Sequence, residues 1–186
     1  MDDTKYIRPW KKDSEEVVLD TPWFKIRKES LITSRGNHAE YFIHDGNDGV
    51  MCVCISKDGK FILEQQYRPP IQRISFDYPA GHIDPSDASV EMAARREVEE
   101  ETGFKVGSLK KLGVLDKDPG FSKNKMHIFL AKDLQKGGTK HFDSTEDLVF
   151  TYVTPEEIQA LIREGKLSCT TCVAATYLAF QDLGVR

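Results

Sequence analysis

One stretch limits what this chain can become more than any other: residues 80–104, AGHIDPSDASVEMAARREVEEETGF, a loop feeding a short and very acidic helix. The sequence predicts a helix from about Ser89 to Thr102, which puts Glu97, Glu100 and Glu101 at i, i+3 and i+4 on one face. Like charges at that spacing cost a few tenths of a kcal/mol per pair, and the negative end of the helix dipole opposes carboxylates by roughly 0.3–1 kcal/mol each. Two readings follow. In one, the glutamates form a solvated face, with Arg95 and Arg96 softening the repulsion. In the other, a divalent cation removes the strain: Mg²⁺ takes oxygen ligands at about 2.0–2.1 Å, typically carboxylates, waters and substrate phosphates. Glu97 and Glu101 would converge on one ion and Glu100 on a second, while Glu99 points elsewhere. The backbone carbonyl of Ala80 is a natural neutral ligand beside that helix, and Gly81 lets the chain come close.

The remainder of the chain narrows the partners. At 186 residues and 39% hydrophobic content it suffices for one folded domain rather than two independent ones. A net charge of -4 and short basic patches give no electrostatic footprint for nucleic acid. No apolar run approaches the roughly 20 residues of a membrane span, and MDDTKYIRPWKK lacks a signal peptide's apolar core, so a cytoplasmic location is expected. Zinc on Cys52, Cys54, Cys169 and Cys172 would require two pairs to meet at a tetrahedral centre. Neither pair has flanking glycines or a nearby histidine, which favours free buried thiols in a reducing compartment.

Strand signals alternate with turn punctuation along most of the chain. Residues 1–13 read as an arm or frayed end. VVLDTPWFKIRKESLITS and HAEYFIHDG predict a small antiparallel sheet, too small for its own core, whose Trp23, Phe24, Tyr41 and Phe42 need cover that a second copy of the chain would supply. This sets an N-terminal strand-rich extension, 1–47, apart from the main domain, 48–186. VMCVCISKDGKFILEQQYRPPIQRISFDYPAG predicts three strands, with a hairpin turn at Asp58-Gly59 and a stop at Pro69-Pro70. Two strands surround the loop from Asp116 to Asn124, another starts near Leu148, and a helix opens at Pro155. In the last helix, CTTCVAATYLAFQDLG, the apolar Val173, Tyr177, Leu178 and Phe180 are expected to pack into the core. The fold class is α/β (α+β): a mixed sheet sandwiched between helices, with the small antiparallel sheet added.

The stretch from Arg96 to Phe104, REVEEETGF, resembles the second half of the Nudix hydrolase signature position for position. The first half departs from it by a one-residue insertion in the loop before the helix, so the signature's first glutamate falls on Asp87 or Ala88. QQYRPP, YPAGHID and DPGFS are similar to the branch that cleaves ADP-ribose and other nucleoside diphosphate sugars. That resemblance implies a Nudix-type α/β/α sandwich and an Mg²⁺- or Mn²⁺-dependent enzyme, with Ala80, Glu97, Glu100 and Glu101 on the metal. It also implies that Arg68 touches the phosphates or braces the helix acids, whereas a salt bridge to Asp77 is the structural alternative. By the same resemblance Ser122 falls in the branch's loop that closes over the terminal ribose or sugar, although Lys123 and Asn124 stand where related enzymes often carry a glutamate. Glu146 is the loop acid expected to aid the water or the metal, with Asp147 and Asp143 as alternates, and Glu100 is the helix acid with a catalytic role. A homodimer through the N-terminal sheet is implied, with Trp23, and less so Tyr41, stacking on the partner's substrate.

The reaction that the resemblance implies is hydrolysis of the pyrophosphate bond of a nucleoside diphosphate sugar to a nucleoside monophosphate and a sugar phosphate; charge adds that cations must neutralise an anionic substrate before an acidic pocket admits it. Other Nudix chemistries, on nucleoside triphosphates, dinucleoside polyphosphates or coenzyme A, would share the helix but not YRPP, YPAG and DPGFS. A non-catalytic nucleotide sensor would be expected to lose the acids that REVEEETG retains.

Overall fold

The computed structural model describes residues 8–140 and 147–185, which fall into two compact units. The first contains the described residues up to Asn47 together with Asp116–Asn124. Its strands β1 (Lys11–Asp20), β2 (Lys25–Ile32) and β3 (His38–Asp45) form an antiparallel sheet in that order. The β1–β2 turn is held by Thr21, whose hydroxyl donates to the Phe24 carbonyl at 2.7 Å and accepts from the Phe24 N–H at 3.0 Å. Charge fixes the pairing. Arg27 on the central strand meets Glu15 of β1 at 2.7 Å and Asp45 of β3 at 3.0 Å, while Lys28 reaches Glu40 at 2.6 Å. The first strand starts at Lys11, inside the segment expected to be an arm, because Lys11 and Lys12 pair in register with Ile32 and Leu31 and Lys12 bonds Glu15 at 2.7 Å.

Within the same unit the loop 116–124 is tied to the end of β3. The His44 N–H donates to the Phe121 carbonyl at 2.8 Å, and Lys123 pairs with Asp45 at 2.6 Å. Asn124 is buried: its amide bonds the Gly46 carbonyl, and its Oδ1 accepts from the Gly46 N–H at 3.2 Å.

The second unit is built on a seven-stranded mixed sheet. Its strands are β4 (Gly49–Ile55), β5 (Phe61–Arg68), β6 (Arg73–Asp77), β7 (Ala80–His82), β9 (Ser108–Asp116), β10 (Lys125–Lys132) and β12 (Leu148–Val153). The path runs β12-β5-β4-β10-β9, with β6 on β5 and β7 on β4; β4 and β10 are parallel. A small pair, β8 (Phe104–Lys105) and β11 (Gln135–Lys136), stands apart. Strand β4 is apolar throughout because both of its faces are covered. Val50, Cys52 and Cys54 pack with Ala93, Ala94 and Val98 of helix α1 (Val90–Thr102). The alternate residues, Met51 and Val53, pack with Ile158 of α2 (Pro155–Arg163) and with Cys172, Ala175 and Ala179 of α3 (Thr170–Leu183). This is the expected sandwich. It puts Cys52 and Cys54 in one layer and Cys172 in the other, so the two cysteine pairs do not meet.

Of the residues expected to pack from the last helix, Phe180 is buried and Val173 and Leu178 lie partly buried against the core, whereas Tyr177 does not pack there. Cys172, Ala175, Thr176, Ala179 and Phe180 face inward, and Tyr177 is 63% exposed. Small residues let the helix approach the sheet closely, and Thr176 Oγ1 pairs with the buried Tyr78 hydroxyl at 2.9 Å. Among the described residues no helix is long and apolar enough to cross a membrane.

Candidate active site

Helix α1 has well-defined ends. Ser89 caps its first turn, accepting from the Met92 N–H at 3.2 Å. Gly103, at φ +73°, closes the last turn by donating to the Glu99 carbonyl at 2.8 Å. These ends set the rotation of the helix, so Ala93, Ala94 and Val98 go into the core and carry Glu97 and Glu101 to the edge of β7.

There the acids are crowded. Glu101 is 7% exposed and accepts the Ala80 N–H at 3.1 Å. Burial, followed by the negative charges of Glu64 and Glu97, pushes its carboxyl far above the usual carboxylate range. Glu64, 4% exposed on β5, is its hydrogen-bond partner. Glu97 lies against Gly81: a Cβ at that position would meet its carboxyl carbon at 2.2 Å. Only glycine leaves that room.

Arg96 holds the outer side of the cluster. Its Nη1 donates to Glu97 at 2.8 Å and to Glu100 at 2.9 Å, while Nε and Nη2 fork onto Asp87 at 3.0 and 2.9 Å. The Asp87 side chain is 7% exposed, and the guanidinium beside it holds its carboxyl below the ordinary value. The inserted loop thus supplies the anchor for the arginine. With Glu97 and Glu100 drawn towards Arg96 and Glu101 turned to the Ala80 N–H, the three do not form a set whose oxygens all lie within 4.8 Å.

Ala80, Gly81, Glu97, Glu100 and Glu101 are therefore brought together in one unit, with Glu64 and Asp87 added. Glu64 does not stand out by spacing, its available signal being an acid in the apolar strand KFILEQ, whereas Asp87 is one of the two positions on which the signature's first glutamate falls. Arg68 forks onto Asp77 at 3.0 and 2.9 Å, the salt bridge weighed as its alternative role. Trp23, Tyr41 and Ser122 belong to the first unit. Trp23 is 81% exposed beside a shallow cavity of about 280 Å³ that Lys25, Asp45 and Asn47 also line. Tyr41 packs edge-on against Trp10 at 5.8 Å. The Ser122 hydroxyl donates to Asn124 Oδ1 at 2.7 Å. Glu146 and Asp143 lie outside the described residues, and Asp147 is exposed just before β12.

Comparison with known proteins matches the NUDIX domain to residues 46–169. An ADP-ribose pyrophosphatase of Bacillus subtilis is 29% identical over 154 residues, covering 82% of each chain. The ADP compounds hydrolase NudE of Escherichia coli is 37% identical over 121 residues, 64% of each chain. The crystal structure of an ADP compounds hydrolase superposes with a TM-score of 0.85 at 25% identity, over 97% of this chain and 98% of that one. The acidic helix and the sandwich that presents it thus have their place: the chain belongs to the Nudix family of hydrolases.

Proposed function

We propose that the protein hydrolyses the pyrophosphate bond of nucleoside diphosphate sugars, ADP-ribose among them, with Mg²⁺ or Mn²⁺ as cofactor. The observation that carries this reading is the burial of Glu101 against Glu64 and Glu97 at the Ala80–Gly81 edge. Like charges are gathered there with little water to separate them, an arrangement that a divalent cation relieves. The donors are all hard oxygens, and the gap left by the missing Cβ of Gly81 keeps the Glu97 carboxyl against the strand, so the residues fit such an ion.

Glu97, Glu100, Glu101 and the Ala80 carbonyl would hold it. When bound, the ion neutralises charge on the pyrophosphate oxygens and lowers the pKa of a water. Arg96, steadied by Asp87, orients the Glu97 and Glu100 carboxylates through Nη1. Glu146 or Glu100 accepts the proton of the attacking water. Arg68, its planar fork fixed by Asp77, offers its remaining donors to phosphate. The ADP-ribose and ADP-compound relatives support the substrate class. So does the position of Gly81, within YPAGHID, against the Glu97 carboxyl, from which it would contact the substrate.

The first unit supports a homodimer. Val17, Val18 and Leu19 of β1 and Phe42 of β3 are exposed. A second copy would cover them, offering Trp23, with Tyr41 as the lesser candidate, as a stacking surface for the partner's nucleotide, and Ser122 would contact the terminal sugar. The test is release of alkaline-phosphatase-sensitive phosphate from a panel of nucleoside diphosphate sugars and nucleoside triphosphates, with and without Mg²⁺. Mg²⁺-dependent turnover of the sugars supports the proposal; turnover of triphosphates alone overturns it.

A further inference from the structure

A second reactive cluster lies in the other helical layer. Among the described residues, Asp77, Cys169 and Cys172 offer ligand atoms that all lie within 4.8 Å of one another. Cys169 caps helix α3 and Cys172 sits in its first turn, so a single helical turn brings both thiols to the same side. Cys172 is fully buried and donates its Sγ–H to Asp77 Oδ1 at 3.5 Å. Cys169 is half-buried. Its thiol, with Cys172 as hydrogen-bond partner and the backbone N–H groups of Cys172 and Thr171 adding to the effect, is pulled down to about 6. The Cys172 thiol moves the other way, pushed up by that same hydrogen bond with Cys169 and then by burial, and burial also raises the thiols of Cys52 and Cys54 in the opposite layer.

An accessible thiol poised to ionise, a buried thiol next to it and a carboxylate behind the second make an arrangement suited to thiol–disulfide exchange. We propose that Cys169 and Cys172 form a dithiol–disulfide exchange site for low-molecular-weight disulfides such as glutathione disulfide, with Cys169 as nucleophile and Cys172 as resolving thiol. The Cys169 thiolate attacks one sulfur of the disulfide RS–SR, forming a mixed disulfide and releasing RS⁻. Cys172 Sγ then attacks the Cys169 sulfur and expels the second RS⁻, and the Cys172 proton, held at Asp77 Oδ1, ends on a departing thiolate. The two protein thiols are oxidised by two electrons, and RS–SR is reduced to one thiol and one thiolate; the thiolate takes from solvent the proton that Cys169 gave up on ionising. Closing the bridge brings the sulfurs from within 4.8 Å to about 2.05 Å. Zinc fits these residues less well. Arg68 already forks onto Asp77 at 3.0 and 2.9 Å, setting a guanidinium beside the site, and the cluster supplies three ligands. The proposal does not rest on the hydrolytic reading.

The test treats the full chain with glutathione redox buffers, traps the remaining thiols with a maleimide and maps them by mass spectrometry. Loss of the Cys169 and Cys172 thiols to one internal disulfide, with Cys52 and Cys54 still reduced, supports the proposal. C172S should accumulate a glutathione adduct on Cys169, and C169S should form neither adduct nor bridge. Because substitution at the buried Cys172 can disturb the fold, the wild-type chain is also alkylated with iodoacetamide across a pH series; Cys169 should react first, with its rate inflecting near about 6. Both thiols staying free in excess glutathione disulfide, an adduct forming first on Cys172, or one tightly held zinc per chain shielding both thiols would each overturn it.

Discussion

The two units handle charge in opposite ways. In the N-terminal sheet the acids meet cations on neighbouring strands: Glu15 and Asp45 share Arg27, Glu40 takes Lys28, and Asp20 takes Lys25. Along the edge of β7, Glu64, Glu97 and Glu101 crowd together, and Arg96 reaches only the outer side of the group. The first pattern sets strand register and is complete in itself. The second crowds buried carboxyls whose ionisation is opposed, as the raised Glu101 shows, an arrangement that stability alone would not retain, and so marks where a cation and a phosphate would be handled.

The sharpest way to break this contrast is to neutralise the crowded acids. E101Q and E97Q should each lower hydrolysis by about 100-fold or more. E101Q should at the same time leave the metal-free chain at least as heat-stable as the wild type, because it removes like-charge repulsion; kinetics and thermal unfolding on the same samples check both halves. G81A comes next. A Cβ there meets the Glu97 carboxyl at 2.2 Å, and the end of that side chain can swing aside, so the chain should fold while losing about 10- to 100-fold in kcat.

The anchor of the arginine should show in stability. D87N weakens the charged fork from Arg96, at a cost of about 2 kcal/mol, or roughly 5 °C in Tm by calorimetry. The two acids should also respond to pH in opposite senses. The Asp87 carboxyl is lowered in the fold, so its contribution is present above the unfolded value near about 3.9 and is lost as pH falls through the folded one. The Glu101 carboxyl is raised, so the metal-free chain is favoured below the unfolded value near about 4.3 and loses that contribution as pH rises towards the folded one. Stabilisation by Mn²⁺ should therefore grow with pH in a thermal-shift series, since binding requires the ionised form. The smallest effect belongs to the N-terminal sheet: K28A, which removes an ion pair to the largely exposed Glu40, should leave the thermal unfolding midpoint essentially unchanged.

Much of this was legible in the residues. The span and the acidic face of α1 follow from local spacing, and the strand β4 follows from its unbroken apolar run. What was not legible depends on contacts distant in sequence. Glu64 becomes notable only because β5 brings it to Glu101, 37 positions further on. In α3, Val173, Leu178 and Phe180 pack as their apolar character suggested, but close approach to the sheet adds the small Cys172, Ala175, Thr176 and Ala179 to the buried face and leaves Tyr177 outside it. The strand beginning at Lys11 was hidden by its polarity, because ion pairs rather than apolar alternation hold it.

The most direct measurement is anomalous diffraction from crystals of the protein soaked in Mn²⁺, paired with a turnover assay on the same preparation. Manganese bound by Glu97, Glu100 and Glu101 next to the Ala80 carbonyl is the predicted result. Full hydrolytic activity with no metal at those carboxylates would contradict it.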